Sequence, residues 1–290
     1  MLNMVLITLG LLTAYFAVIF VKDLLKAKAE NTFEEGSFIG SGLVGFTTNF
    51  FDTLGIGSFA PTTALLRQFK LTKDRTLPGT LNVSCTIPVV IEAYIFIKGI
   101  EVEPVTLAAM LFAAVAGAVV GAGLVSHMDE KKIQTYMATA LIAVAFIMIA
   151  GKVGLMPAGG EAIGLSGVKL IIAVVVNFIL GALMTIGIGL YAPCMALVYA
   201  LGMSPKVAFP IMMGSCAFLM PAASAKFVKE GAYDKKASLA IAVFGSVGVF
   251  IAAYIVKSLP LNILTWLVII VIFYTSISMF KAAKENKEIA

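Results

Sequence analysis

The chain is a succession of long apolar runs separated by short polar gaps that hold most of its lysines. Runs of about 20 apolar residues have the length needed to cross a hydrocarbon core of roughly 30 Å. Full membrane spans are predicted near 2–21, 76–97, 104–126, 131–151, 207–228, 236–256 and 261–280. Two further apolar segments, 37–69 and 167–202, are too long for one neat span, and both are interrupted. The interruptions read "DTLGIGSFAPTTAL" at 52–65 and "TIGIGLYAPCMAL" at 185–197, two Gly-x-Gly breaks each followed four residues later by proline. Split at the glycines, each segment gives two pieces of about 15 residues, or roughly 20 Å of helix apiece, too short to cross.

A shift of 132 residues superimposes the two breaks without gaps. Thr53, Gly55, Ile56, Gly57, Ala60, Pro61, Ala64 and Leu65 fall on Thr185, Gly187, Ile188, Gly189, Ala192, Pro193, Ala196 and Leu197; further on, Pro78 meets Pro210, Ala93 meets Ala225 and Gly99 meets Gly231. The same shift maps the spans at 2–21 and 104–126 onto those at 131–151 and 236–256. The chain therefore reads as a first membrane repeat over 1–128, a second over 129–258, and an extra C-terminal helix with a cytoplasmic tail over 259–290. Each interrupted segment is either a broken helix that spans or a re-entrant hairpin that returns to its own side. Lysine and arginine favour cytoplasmic loops. With hairpins and an external N-terminus, the loops around 22–28, 67–75, 131–132, 226–236 and 281–287 lie inside and hold 16 Lys and Arg, against 5 outside. Spanning broken helices give 13 against 8. The hairpin arrangement leaves three full crossings per half, so the second half is inserted upside down. The predicted fold is an all-α integral membrane protein of two inverted repeats, each with a re-entrant or broken helix pair, plus one extra helix.

Composition agrees. The 290 residues are 60% hydrophobic and 13% charged, with a mean hydropathy of +1.02, more apolar surface than so few charges can keep in water. The first run has no Lys or Arg before its apolar stretch and no small-residue cleavage site, so it is read as a retained helix rather than a signal peptide. The net charge of +5 is read as loop lysines facing an anionic leaflet, not as a nucleic-acid surface. Cys85, Cys194 and Cys216 lie in apolar segments without C-x-x-C spacing, so neither a disulfide framework nor a metal site is expected. There is one histidine, His127, and no P-loop, which leaves no ATP-driven step within this chain. No catalytic residues and no cofactor are expected; a thiol enzyme built on Cys194 and Cys216 would lack an acid–base partner at depth.

Non-helical backbone is tolerated inside a bilayer only where protein or a water-filled cavity surrounds it. Gly55, Gly57, Gly187 and Gly189 supply permissive backbone, and Pro61 and Pro193 suit the first turn of the half-helix that follows. Two such half-helices entering from opposite faces would aim their N-termini at a common centre near the midplane. Unpaired N–H groups and about half a positive charge at each N-terminus make an anion site without a buried arginine. Small residues also let membrane helices pack closely, and "AGAVVGAG" at 116–123 is read that way.

The stretches "GLVGFTTNFFDTLGIGSFAPTTAL" at 42–65 and "NFILGALMTIGIGLYAPCMAL" at 177–197 resemble the TauE/SafE-type sulfite exporters, also called the 4-toluene sulfonate uptake permease family. The resemblance covers nearly the whole chain and implies two similar halves, each with a glycine-rich, proline-terminated signature. It departs after the Gly-Ile-Gly core, where the family commonly continues with glycine and this chain has Ser58-Phe59 and Leu190-Tyr191. What it implies is transport of small sulfur-containing anions such as sulfite, sulfonates or thiosulfate, in the inner membrane of a prokaryote with the C-terminus cytoplasmic. An uncoupled anion channel and a transporter of small organic carboxylates are the alternatives.

Hydroxyls and amides can donate to sulfonate oxygens without fixed charge. The candidates for substrate contact are Gly55, Gly57, Ser58, Thr62, Asn49 and Asn82 in the first half, and Gly187, Gly189, Cys194 and Ser215 in the second. Asp52 is the one acidic residue expected near the midplane; Glu92 is expected close to the outer end of its span. An ionisable group at depth is costly and points to function. Asp52 is read either as the group through which a proton or sodium ion is coupled to the anion, or as a cap on its own turn. Its counterpart in the second half is Met184.

Overall fold

The computed structural model describes residues 2–54, 57–96, 101–155, 159–187, 189–254 and 261–285. They form α1 (Leu2–Glu30), α2 (Phe38–Thr53), α3 (Phe59–Gln68), α4 (Leu77–Phe96), α5 (Pro104–Val125), α6 (Glu130–Lys152), α7 (Gly167–Met184), α8 (Tyr191–Ala200), α9 (Pro205–Lys229), α10 (Lys235–Tyr254) and α11 (Leu261–Glu285), with one 3₁₀ turn at Asp74–Thr76. Six of these are long and apolar enough to cross a bilayer by length and composition. The protein is an all-α integral membrane protein.

Helix ends follow local chemistry. Ser37 caps α2 by accepting from the Gly40 N–H at 3.1 Å. Glu103 accepts from the N–H groups of Val105 and Thr106 and precedes Pro104 at the first helical position of α5. Asp129 caps α6 through the Lys132 N–H. The first helix runs nine residues past the expected 2–21. Residues 22–30 are good helix formers, the i,i+4 pair Lys26–Glu30 adds to them, and the helix stops where Asn31 turns left-handed at φ 52°.

The two interrupted segments are hairpins. In the first, Thr62 Oγ1 donates to Thr48 Oγ1 at 2.8 Å. A continuous helix would set those residues about 20 Å apart. At its base, a Cβ on Gly36 would lie 2.5 Å from the Leu71 carbonyl oxygen, so the start of α2 and the end of α3 share one level. In the second, Lys169 Nζ near the start of α7 donates to the Leu201 carbonyl just after α8, and Gly160 N–H donates to Met203 O. The arms are unequal rather than near 15 residues each. The long arms α2 and α7 have 16 and 18 residues, while the short arms α3 and α8 have 10 each. Ten residues make about 15 Å of helix, half of a bilayer core.

The hairpins open on opposite faces. The base of the first meets the loop between α9 and α10. There Thr72 Oγ1 donates to Asp234 Oδ2, Glu34 accepts from the N–H groups of Lys235 and Lys236, and Tyr233 donates to Asp23 of α1. His127 and Gln134 join the same face through Glu230 and Asp74. The base of the second meets the start of α5, where Glu103 N–H donates to Ile163 O and Leu165 N–H donates to Thr106 Oγ1.

Glycine decides how the long arms are seated. A Cβ on Gly117 of α5 would lie 1.9 Å from the Phe178 carbonyl oxygen of α7, with the Ala182 nitrogen 3.1 Å away. A Cβ on Gly248 of α10 would lie 2.4 Å from the Phe46 carbonyl oxygen of α2, with the Phe50 nitrogen 3.3 Å away. Phe178 and Ala182 are Phe46 and Phe50 moved by 132 positions, and Gly248 is Gly117 moved by 131. The long arm of each hairpin is thus packed against a helix of the other half, with α2 on α10 and α7 on α5. The sequence "AGAVVGAG" serves close packing, since Gly121 also abuts α7. Between these pairs α4 crosses α9 in the antiparallel sense, because Thr80 Oγ1 accepts from Asp234 N–H while Thr86 Oγ1 bonds Ser224 Oγ at 2.8 Å. α11 lies along α6 and touches α3.

Candidate functional site: a cavity between the hairpin tips

The two short arms begin beside one another. Ser58, Phe59 and Ala60 at the start of α3, and Leu190 and Tyr191 at the start of α8, line one cavity with Gly57 and Gly189. Asp52, Met184 and Cys216 complete its polar and sulfur-bearing wall, while Val89, Val144, Met148 and Ile272 supply an apolar one. The cavity measures about 50 Å³. One water needs roughly 10–15 Å³ by this measure, so the space suits a small ion or a few waters.

Both breaks reach this place because of their backbones. Gly57 has φ +89° and faces open space, and Gly189 also faces open space. Gly187, with φ +103°, is instead packed against Met137 and Leu81 and does not line the cavity. Ser58 makes no side-chain cap bond to α3, and Leu190, at the same position before α8, has no side-chain acceptor to offer. The first-turn N–H groups of both short helices therefore have no side-chain acceptor at the cap, and Pro61 and Pro193 contribute no N–H at all. Among the described residues, no Lys or Arg side chain lines the cavity. Attraction for a negative ion there comes from two helix N-termini, with hydroxyl donors at Ser58 and Tyr191.

Of the residues singled out in the sequence, Asp52, Gly57, Ser58 and Gly189 come together at the cavity. Gly55 lies outside the described residues. Asn49 donates to Gly45 O and is pressed against Gly245; Thr62 donates to Thr48; Asn82 donates to Pro78 O. Cys194 is buried one turn into α8, and Ser215 accepts from Asn177, whose amide also donates to Met110 O. These residues are not among those that line the cavity, and they are held in helix packing. Asp52 accepts from Ser58 Oγ at 2.9 Å and from the Ser58 N–H. It therefore spans its own break and also faces the cavity.

Glu92 lies near the end of α4, as expected, yet it is wholly buried, with Oε1 2.9 Å from Thr53 Oγ1 and Oε2 3.3 Å from the Tyr191 hydroxyl. Counting along α4 places it near the end of that helix; the long arm α2 brings Thr53 up to meet it. Tyr191 was hidden for a different reason, since it aligns with Phe59 and reads as a conservative apolar match. The signal that could have found Glu92 is the one that found Asp52, an ionisable residue within an apolar run.

The family model described as Sulfite exporter TauE/SafE matches residues 2–148 and 169–289, nearly the whole chain. No match is found among curated proteins or among solved structures.

Proposed function

The chain belongs to the sulfite exporter TauE/SafE family, and from that premise we propose that it is a secondary transporter of small sulfur-containing anions of the sulfite, sulfonate or thiosulfate class. The observation that carries this reading is the meeting of two helix N-termini in one cavity that no basic side chain lines among the described residues. Such a site attracts an anion yet releases it readily, because each N-terminus offers only about half a charge. An arginine clamp would hold more tightly and release more slowly.

Several features support a two-repeat transporter, with repeats over 1–128 and 129–258 and an added helix over 259–290. The hairpins open on opposite faces, equivalent glycines seat equivalent long arms, and the corresponding helices α4 and α9 run antiparallel. This is the geometry of alternating access around a fixed central site. The lysine-rich loops gather on one face, which the positive-inside rule makes cytoplasmic, with the N-terminus outside. The membrane would be the inner membrane of a prokaryote. Asp52 opposes an anion unless a proton or sodium ion offsets it, so anion movement is coupled to one of these ions through the carboxyl chemistry of the tip.

Reconstituted protein in liposomes, given radiolabelled sulfite, thiosulfate, sulfonates and small carboxylates, tests the reading. Saturable flux of one sulfur anion, driven by an imposed pH or sodium gradient, is expected. Flux that neither saturates nor responds to a gradient would make the protein a channel. Preference for carboxylates would move the substrate class.

A further inference from the structure

Glu92 stands one side chain behind the cavity wall. It joins the two halves, since Thr53 on α2 and Tyr191 on α8 both bond its carboxyl group. Thr53 Oγ1 lies 2.8 Å from the Asn49 carbonyl oxygen as well as 2.9 Å from Glu92 Oε1. A hydroxyl has one hydrogen. If Glu92 were ionised, both neighbours of Thr53 Oγ1 would be acceptors and one contact would lack a proton. With a hydrogen on Oε1, Glu92 donates to Thr53, Thr53 donates to Asn49 O, and each contact is served.

The surroundings point the same way. Among the described residues, the titratable groups facing Glu92 are Asp52 from α2, Tyr191 from α8 and Cys216 from α9, and none of these is a cation. Among the described residues, Lys235 starts α10 next to Asp234, whose N–H donates to Thr80 Oγ1 at the far end of α4. Arg67 on α3 is engaged by Asp74 and Ser278, and Lys235 on α10 lies beside Asp23. Thr80 is twelve positions from Glu92, which is about 18 Å of helix. Asp52, in contrast, accepts the Ser58 hydroxyl proton at 2.9 Å and needs no proton of its own for that contact.

Resting on the transport reading above, we infer that Glu92 is the proton-binding residue of the transport cycle. The protonated carboxyl described above is the anion-binding form; after the anion has left, Glu92 passes its proton to water by way of the Tyr191 hydroxyl that faces the cavity, and it takes one back from water before the next anion binds. No other bond changes. Protonation removes one of two neighbouring negative charges behind the anion, so proton and anion binding strengthen each other, and by linkage the effect is equal in both directions. Glu92 is a positioning and charge-carrying residue that does not touch the substrate; Asp52 remains the fixed cap at the cavity wall.

The test uses full-length protein in detergent with methanesulfonate, whose charge is fixed in the neutral range, and sulfite as a second probe. In wild type, methanesulfonate affinity is expected to weaken by up to about tenfold per pH unit over the range in which Glu92 loses its proton, with about one proton taken up per anion bound in unbuffered solution within that range. Glu92→Gln keeps a donor for Thr53 and an acceptor for Tyr191, so it should bind at high pH with the slope flattened and proton uptake lost. Asp52→Asn should keep the slope in whatever binding it retains. A wild-type slope in Glu92→Gln, or a slope lost only in Asp52→Asn, overturns the assignment. If Glu92→Gln fails to assemble, the wild-type proton count decides alone, and an anion bound without proton uptake also overturns it. If wild type binds no anion of the transport panel, the transport reading itself has failed and this inference falls with it.

Discussion

At the scale of single residues, glycine does two different jobs here, and substitution separates them. At Gly117 and Gly248 a Cβ would meet backbone of the neighbouring helix at 1.9 and 2.4 Å. Backbone cannot rotate aside, so Gly117→Ala or Gly248→Ala should cost at least about 1–3 kcal/mol, read as a lowered melting temperature in detergent. Gly123→Ala, 3.5 Å from the flexible end of Lys226, should melt like wild type. Gly57 is the other kind. It has open space but a left-handed backbone, so Gly57→Ala strains the turn by roughly 1–2 kcal/mol, and Gly57→Val should abolish anion binding while the protein still reaches the membrane. Equal binding by wild type and Gly57→Val would show that the tip backbone does not approach the ligand. The sequence made the tip glycines visible, because their spacing repeats at 132 residues, and it marked Gly117 only as part of a packing stretch; Gly248 stands one position out of that register. It could not show which polar side chains face the cavity. Asn49, Thr62 and Asn82 have the chemistry of ligands, but each side chain donates within its own hairpin or helix. Direction around a helix is decided by packing partners far away in the chain.

At the scale of elements, the hairpins were legible from two clues, the doubled break and the lysine count, because both follow from what a bilayer tolerates. The unequal arms were not, since nothing local says where a hairpin tip stops when its long arm leans on a helix about 190 residues away. The short arm α3 is anchored at its C-terminal end. Arg67 Nε reaches both Asp74 oxygens at 3.1 Å, and its guanidinium also donates to Ser278 Oγ and to Ser278 O on α11. A lysine keeps the charge and loses the fork. Arg67→Lys should therefore destabilise the protein by about 1–2 kcal/mol, the loss of charge-assisted bonds discounted for partial exposure. Hydrogen exchange should rise over residues 59–68 and 274–280 more than elsewhere. A uniform rise would show that α11 does not hold the short arm.

At the scale of the whole molecule, the two halves of the chain are interlocked, and the proposed transport would have to move bodies that mix them. The long arm α2 is seated on α10 and α7 on α5, so any rigid body contains helices from both halves. The topology is checked by impermeant thiol labelling of cysteines introduced at Lys28, Lys73 and Lys169, against a background of native cysteines that are all buried. The first two should be unreactive from outside and the third reactive; opposite results at Lys28 and Lys73 would break the hairpin argument. The crossed seating also bears on how the protein is made. When the ribosome has finished the first half, α2 and α5 are in the bilayer without the helices they fit. A further hundred or so residues must follow, at roughly 5–20 residues per second, before α7 and then α10 arrive. For a time on the order of ten seconds, glycine-notched faces and the amide of Asn49 stand open to lipid. A nascent chain stalled near residue 128 is therefore not half a transporter but an exposed client, one that a membrane chaperone would bind and a membrane protease would remove.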